Sequence, residues 1–403
     1  MTATRFAKAS TLVALAVGWL VAAWLLTRTT VPGNLHAPHV DARSVFPPDV
    51  LHRSARYDGL LRWLWVAATL VTLGALTLFV YLGPRIARAW ELGRVATGIM
   101  VGAVTTLGVW AVGLPFGALE LWWGRRYGLE RSGYAEWAVE QWPALLAQVV
   151  GLTIALTVLL LLAGRFGRRW WLVAAPLFVV GGVVLVFVLP WLETLGTRPP
   201  HDTPAAARIR QLARDEGVGG TPVRIEEVHD QTTAANAMAT GIGPSARVFI
   251  WDTFLDGRYS NREIEVVAAH EFGHIAHHHI WKGLAWSLLL TVPGFWLVEL
   301  ATRRHGGLER PEVVPLALLV LALIGLLITP LGNIVSRRYE AEADWSALRA
   351  THDPAAAAGV FRKFSRDDLV QPNPPLWSYI WIDNHPTVVQ RIAMAHAYAA
   401  REP

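Results

Sequence analysis

Long apolar stretches recur along this sequence and leave few folds open to it. A helix needs about 20 mostly apolar residues to cross the hydrocarbon core of a bilayer. Seven stretches approach or exceed that length: Ala9–Leu26, Trp63–Leu82, Val95–Leu119, Ala144–Ala163, Trp170–Trp191, Gly283–Val298 and Val313–Val335. We therefore predict a mainly α-helical, polytopic membrane protein with about seven transmembrane helices.

The charge content excludes the usual soluble classes. Only 17% of the 403 residues are charged, whereas soluble globular domains carry about 25%. This composition argues against a soluble enzyme, a disordered chain and a fibrous repeat. The net charge of +5 does not indicate nucleic acid, because arginines at the ends of apolar spans are what membrane topology requires. The expected partner is the lipid bilayer, and no nucleic acid is expected.

Two apolar stretches need a comment of their own. Ala9–Leu26 has the length of a secretory signal peptide, but no small-x-small cleavage site follows it, so we interpret it as a retained span. Val95–Leu119 contains Pro115, which we expect to interrupt the helix. Tryptophans near the ends of the stretches, such as Trp63 and Trp191, are typical of an aromatic belt that anchors helices at the membrane interface.

The polar segment before the sixth stretch contains both helical and alternating patterns. Thr203–Gly217 has apolar residues at helical spacing. Val223–Val228 and Arg247–Ile250 are short and rich in β-branched residues, which predicts two strands. Asn261–Ile280 is a strong helix pattern, with Asn261 as its expected cap.

That last helix carries His270, Glu271 and His274 in the spacing His-Glu-x-x-His. Positions i and i+4 of a helix lie on one face, so both imidazoles can reach one Zn²⁺ ion at about 2.0–2.1 Å. Glu271 then lies beside the metal, where it can accept a proton from bound water. The spacing predicts a zinc hydrolase site with Glu271 as the general base.

A catalytic zinc needs a third protein ligand and an open fourth position. The chain has no cysteine, so the ligand must be a histidine or a carboxylate. Glu340 and Asp344 share a helix face, whereas Glu342 points elsewhere. Either carboxylate can ligate the zinc while the other accepts the free N–H of a ligand histidine, and Glu340 is the better candidate for the ligand.

These motifs suggest how the chain is divided. We predict a five-helix transmembrane region (1–192), the first part of a catalytic domain with the zinc helix (193–282), a transmembrane hairpin (283–335) and the second part of the catalytic domain with the third ligand (336–403). If the two polar parts share one fold, the hairpin ties that fold to the membrane.

The order of the motifs is typical of one family. The series is Leu114-Pro115-Phe116, Gly128-Leu129-Glu130, Asn236-Ala237, Gly241, Gly243, Asp252-Thr253, His270 to His274, His279, Glu340 with Asp344, His385-Pro386 and Arg391-Ile392. Over about residues 100 to 395, the chain resembles the type I CAAX prenyl protease family of membrane zinc endopeptidases and related bacterial membrane proteases.

The resemblance implies a chamber of seven transmembrane helices capped by a zincin-type α+β catalytic domain with a small β-sheet. It implies one Zn²⁺ per chain, held by His270, His274 and Glu340, with Glu271 as the general base. His277–His279 are expected at the surface or in packing, since the zinc needs only three protein ligands.

The resemblance also implies residues that act on the substrate and on the ligands. His385 would contact the substrate or stabilise the oxyanion. The strand around Asn236 and Ala237 would pair with an extended substrate by adding a strand to a sheet edge. Asp344 and Arg391 would orient the site.

The predicted function is therefore peptide hydrolysis by zinc-activated water, on peptides or membrane-associated proteins, either in CAAX-type prenyl-peptide processing or in membrane-protein quality control. A site-2-type intramembrane protease would place the zinc helix inside a span, but charged residues such as Arg262 and Lys282 flank this one. A metal-binding transporter or scaffold would need polar residues near the bilayer midplane, and the spans carry almost none. The expected location is a bacterial cell membrane, or the endoplasmic reticulum membrane if the source is eukaryotic. The membrane side of the catalytic domain stays open.

Overall fold

The computed structural model describes the backbone of residues 3–90 and 92–401, with side chains from residue 13 onward within those ranges. This part of the chain is mainly helical, with one small β-sheet, in agreement with the coarse prediction. The helices of the first half are α1 (Ala3–Leu26), α2 (Ala42–Val45), α3 (Pro48–Ala89), α4 (Arg94–Tyr127), α5 (Tyr134–Phe166) and α6 (Trp170–Glu193).

The second half alternates polar elements with two long helices. In chain order its elements are α7 (Pro204–Asp215), β1 (Val223–Glu226), β2 (Ala237–Thr240), β3 (Arg247–Trp251), α8 (Asn261–Ala276), α9 (His279–Thr302), α10 (Val314–Thr351), α11 (Pro354–Asp367), α12 (Leu376–Trp381) and α13 (Val388–Ala399).

Within the described residues, five helical stretches are long and apolar enough to cross a membrane. They are Pro48–Ala89, Arg94–Tyr127, Tyr134–Glu193, His279–His305 and Pro311–Thr351, and Val13–Leu26 is a shorter apolar helix. The third stretch contains both α5 and α6, which a short 3-10 turn joins at residues 167–169. Length and composition thus support several spans, while the predicted number of seven depends on counting α1, α5 and α6 separately.

Two of these helices continue where the sequence suggested a break. α4 runs through Pro115, because the proline takes the place of only one donor in an otherwise regular helix of 34 residues. α10 runs unbroken across residue 336, so one helix of 38 residues carries both an apolar stretch and Glu340. The polar end of α10 is therefore a direct extension of its apolar part.

The polar elements share one core around the sheet. The strand order is β1-β3-β2, with β1 parallel and β2 antiparallel to β3. α8 lies between this sheet and α10, and its Phe272 is fully buried. Phe46 and Val50, from α2–α3, pack into the same core. The N-terminal region thus contributes side chains to the fold of the polar half.

The predicted short elements are present with shifted ends. α7 begins after Thr203, whose hydroxyl accepts a hydrogen bond from the Ala206 amide. α8 is capped by Ser260 rather than by Asn261, and Ser260 and Glu263 form a reciprocal capping box. The predicted helix Asn261–Ile280 ends at Ala276, because His278 adopts a left-handed conformation with φ 57° before α9 begins.

Candidate active site

α8 holds its two histidines rigidly because it is buried on most sides. Its capping box is reinforced by Lys363, whose Nζ lies 2.6 Å from Glu263 Oε2. The residues from Glu263 to Gly273 are nearly all buried, and His270 and Glu271 are each 8% exposed. α8 is not one of the apolar stretches long enough to cross a membrane, which speaks against the intramembrane alternative.

His270, His274 and Glu340 lie together with one ligand atom of each within 4.8 Å of the others. The Nε2 atoms of His270 and His274 are 3.1 Å apart. Glu340 Oε2 is 3.2 Å from the first, and Glu340 Oε1 is 3.5 Å from the second. A zinc tetrahedron with bonds of about 2.0–2.1 Å has edges of about 3.3 Å. The three ligand atoms therefore fit three corners of one such tetrahedron.

The donor set itself needs a cation. Glu340 Oε2 is buried and has no hydrogen-bond partner among the described residues. Burial lowers the pKa of His274 to about 3, so this histidine is neutral, as a metal ligand must be. Two nitrogens and a carboxylate, with no thiolate, suit zinc. The residues therefore fit the metal that the motif predicts.

Glu271 lies next to this cluster but outside it. Burial raises the pKa of its carboxyl to about 7, although His270 and the backbone of Ala239 lower it. A carboxylate with a pKa near neutrality accepts and returns a proton readily. This placement suits a general base.

Asp344 and Arg391 surround the outer side of His270. Asp344 Oδ1 accepts a hydrogen bond from His270 Nδ1 at 2.8 Å. Arg391 donates to both oxygens of Asp344, at 2.6 and 2.8 Å. Asp344 therefore holds the ring of His270 with Nε2 toward the cluster, and Arg391 holds Asp344.

His385 lies at the open side of the cluster. Its Nε2 is 3.2 Å from Glu340 Oε2, its Nδ1 is 2.7 Å from Asn384 Oδ1, and its side chain is 53% exposed. The ring can therefore reach both the cluster and a bound substrate.

A cleft of 500 Å³ opens beside the cluster. Asn236 and Ala237 line it, together with Glu271 and His385. β2 forms one edge of the sheet, so its outer side has no strand partner within the described part of the chain. The cleft thus brings the predicted substrate strand next to the predicted base.

The sequence interpretation missed two residues at the back of the cluster. His279 is 5% exposed, and its Nδ1 is 2.9 Å from His274 Nδ1. Its Nε2 is 2.9 Å from Glu342, which is 1% exposed. His279 is packed in the interior, as expected, and the sequence interpretation did not foresee its contacts with His274 and Glu342. The only signal in the sequence was its spacing of five residues from His274, which is not a helical spacing.

Comparison with known proteins agrees with this geometry. Residues 202–399, which contain the whole cluster, match the profile "Peptidase family M48". About half of the chain therefore matches peptidase family M48. This confirms the resemblance to the CAAX prenyl protease family.

The chain is also similar in sequence to three curated proteins. They are "Uncharacterized metalloprotease YhfN" of Bacillus subtilis (strain 168), 29% identical over 67% of this chain and 66% of that protein; "CAAX prenyl protease 1 homolog" of Oryza sativa subsp. japonica, 26% identical over 40% of each; and "Protease HtpX homolog" of Arthrobacter sp. (strain FB24), 32% identical over 36% of this chain and 50% of that protein. The matches thus span between 40% and 66% of the relatives' lengths.

A solved structure matches the chain over nearly its full length. The crystal structure of S. mikatae Ste24p has a TM-score of 0.74 and 18% sequence identity, covering 94% of this chain and 96% of that one. At this identity the match describes the fold. Together with the five apolar stretches, the family relatives support a multi-pass membrane protein.

Proposed function

We propose that this chain is an integral-membrane zinc endopeptidase with its active site at His270, His274 and Glu340. The observation that carries the proposal is the buried Glu340 Oε2, which forms no hydrogen bond among the described residues although it lies 3.2 Å from Nε2 of both His270 and His385. A bound cation satisfies that oxygen and both nitrogens at once. The similarity to peptidase family M48 supports a catalytic role for the cation.

In this proposal the chain's own residues perform the proton transfers and hold the substrate. When bound, zinc supplies Lewis-acid polarisation of the scissile carbonyl and lowers the pKa of water toward about 7. Glu271 takes the proton of the attacking water and delivers it to the leaving amine. Protonated His385, whose Nδ1 donates to Asn384 Oδ1, donates from Nε2 toward the developing oxyanion, an effect of about 3 kcal/mol. Asp344 and Arg391 keep His270 in position.

The substrate is proposed to bind as a strand along β2. The Trp251 amide donates to the Asn236 carbonyl, and Ala237 is opposite Ile250. In an antiparallel pair the hydrogen-bonded positions alternate, so the backbone groups of Ala237 and Ala239 point to the free edge. The Ala239 backbone already hydrogen-bonds the Glu271 carboxylate, so an extended peptide pairs with Ala237 and passes beside Glu271.

The membrane context suggests where the substrates come from. We propose that α1, α3, α4, α5, α6, α9 and α10 all cross the bilayer and form a chamber beneath the catalytic elements, in a bacterial cell membrane. The relatives named as a CAAX prenyl protease homologue and as HtpX homologues support peptides or membrane-associated proteins as substrates.

The experiment uses detergent-purified protein, its metal content, and a panel of quenched-fluorescent peptides with and without a farnesylated cysteine. We expect one zinc per chain and chelator-sensitive cleavage. Glu271→Gln should keep the zinc and lose about 10²- to 10⁴-fold in rate, whereas Glu340→Ala should lose both. Cleavage by Glu271→Gln at the wild-type rate would show that Glu271 is not the base, and absence of zinc from the wild type would refute the proposal.

A further inference from the structure

The two histidines of the cluster are supported in different ways. His270 donates directly to the carboxylate of Asp344. His274 has no carboxylate beside its Nδ1 among the described residues, and instead its Nδ1 faces Nδ1 of His279 at 2.9 Å. The two nitrogens can share a hydrogen bond only if one carries a proton and the other does not.

The other side of His279 decides which nitrogen carries the proton. Its Nε2 is 2.9 Å from Glu342 Oε2, an acceptor, so Nε2 donates to the carboxylate. In the neutral ring, Nδ1 of His279 is then the acceptor. His274 must donate its Nδ1–H, which leaves its Nε2 lone pair directed at Glu340 and His270. The network thus selects the metal-binding tautomer of His274.

Glu342 is itself held from three directions. The backbone amide of Thr30, which follows α1, donates to Glu342 Oε1 at 2.5 Å. Lys282 Nζ is 3.3 Å from Glu342 Oε2, and His277 Nδ1 is 3.6 Å from Oε1. The carboxylate is 1% exposed, and a buried carboxylate persists only with such partners.

The ring of His279 is also fixed by packing. It stacks on Tyr339, with a centroid distance of 4.6 Å and an interplanar angle of 9°. The Tyr339 hydroxyl donates to the Leu26 carbonyl at the end of α1 at 2.7 Å. The end of α1 therefore contacts this hydrogen-bond network at Tyr339, and the segment that follows α1 contacts it through Thr30.

We propose that His279 and Glu342 are positioning residues that orient His274 for metal binding, and that the segment after α1 completes this support through the Thr30 amide. The inference rests on the proposed zinc site and adds the means by which its second histidine is held. Outer partners of ligand histidines typically contribute about 10- to 100-fold in metal affinity.

The test measures zinc affinity of the full-length, metal-stripped protein by competition with a chelator of known affinity. His279→Phe keeps a ring on Tyr339 but removes both hydrogen bonds, and Glu342→Gln keeps the size of the side chain but removes its charge. Each should weaken zinc binding by about 10- to 100-fold. His278→Asn is the matched control, since His278 is exposed and asparagine tolerates its left-handed backbone, and it should bind zinc as the wild type does.

Two further readouts separate positioning from simple stability. The metal-free Glu342→Gln variant should melt below the metal-free wild type, because Lys282 loses its charged partner, so the Co²⁺ form decides between the two roles. Its visible spectrum should shift because His274 is misaligned. Unchanged zinc affinity and an unchanged Co²⁺ spectrum in both variants would overturn the proposed support of His274 while leaving the zinc site standing. Weaker zinc binding with a wild-type Co²⁺ spectrum would overturn it too, because the loss would then follow from stability alone. A wild type that binds no zinc would instead refute the proposed function.

Discussion

At the scale of single residues, the candidate site is built from buried carboxylates. Glu271, Glu340, Glu342 and Asp344 are each less than 9% exposed. Desolvation alone would protonate such groups, so each one either has cationic or N–H partners or has a raised pKa. Glu342 and Asp344 have partners, whereas Glu271 is left with a pKa of about 7.

Asp368 is a second carboxylate with a raised pKa, and it lies in the cleft away from the cluster. Burial raises its pKa to about 7, against the opposing effects of Arg258, the Ala235 amide and the Tyr259 hydroxyl. A group with a raised folded-state pKa keeps its proton in the folded state and loses it in the unfolded state between the two pKa values. Its contribution to stability therefore falls as pH rises from about 4 to about 7.

We predict that Asp368→Asn stabilises the protein at high pH relative to low pH. The quantity to measure is the difference in melting temperature between variant and wild type, at about pH 5 and about pH 8. The difference should be larger at the higher pH, because only there does the wild type bear a buried charge. The proposed metal ligands titrate in both proteins, so their effects on the melting temperature largely cancel in this difference. A difference that is the same at both pH values would contradict the raised pKa.

At the scale of elements, the cluster depends on how closely α8 and α10 approach. Gly273 lies one residue before His274, and a Cβ built on it would be 3.1 Å from Ser346 Cβ and 3.2 Å from Ala343 Cα. The two nearest atoms are a Cβ and a backbone Cα, and no rotation of a side chain moves either of them away. The missing Cβ lets α10 bring Glu340 to the two histidines.

Gly273→Ala should therefore separate the two helices and weaken metal binding. Overpacking at such a site costs about 1–3 kcal/mol of stability, and the shift of α10 moves Glu340 away from His274. Gly283→Ala is the control, because nothing lies within 4 Å of its added Cβ. Zinc affinity and melting temperature check the prediction, and equal values for the two variants would show that the close approach is unimportant.

The free edge of β2 allows a prediction about substrate binding. Ala237→Pro removes one outward N–H of the edge strand and leaves the hydrogen bonds to β3 in place. One hydrogen bond is worth about 1 kcal/mol, so KM should rise about 5-fold with little change in kcat. Ala237→Ser keeps the N–H and should behave as the wild type. A KM that is the same in both variants would show that the substrate does not pair there.

At the scale of the whole molecule, the membrane and polar halves are built into each other. α10 carries Glu340, the proposed third ligand, on the extension of an apolar helix, and α9 begins beside the cluster at His279. Phe46 and Val50 place the start of α3 in the core of the polar half. The orientation of the membrane helices therefore determines the orientation of the site.

Because the chain has no cysteine, this arrangement can be tested with single cysteines. α9 has 24 residues, a length of about 36 Å, so its two ends should lie on opposite sides of the membrane. Asp230→Cys, on the exposed polar half, and Arg304→Cys, beyond the far end of α9, should react with an impermeant maleimide from opposite sides. Arg88→Cys, at the far end of α3, should label with Arg304→Cys. Labelling of all three from one side would refute the predicted spans.

Much of the fold and the core of the site follow from local patterns. Apolar stretches of fixed length and the spacing of His270 and His274 are properties of neighbouring residues, so they can be identified in the sequence alone. The helix of residues 261–280 was wrong at its end, since a left-handed residue at His278 has no apolar signature. The predicted break at Pro115 was wrong as well, because the helix continues past it.

The sequence by itself determined the apolar helices, the short strands and a helix that presents two histidines and a glutamate on adjoining positions, because each depends on residues close in the chain. Only the tertiary structure shows the different positions of Glu340 and Asp344: both share a face of α10, but the approach at Gly273 sets Glu340 against the Nε2 atoms and Asp344 against Nδ1 of His270. It alone also revealed His279 and Glu342, because their contacts join residues that are 63 and 312 positions apart in sequence, and no periodicity reports a distance that only packing creates.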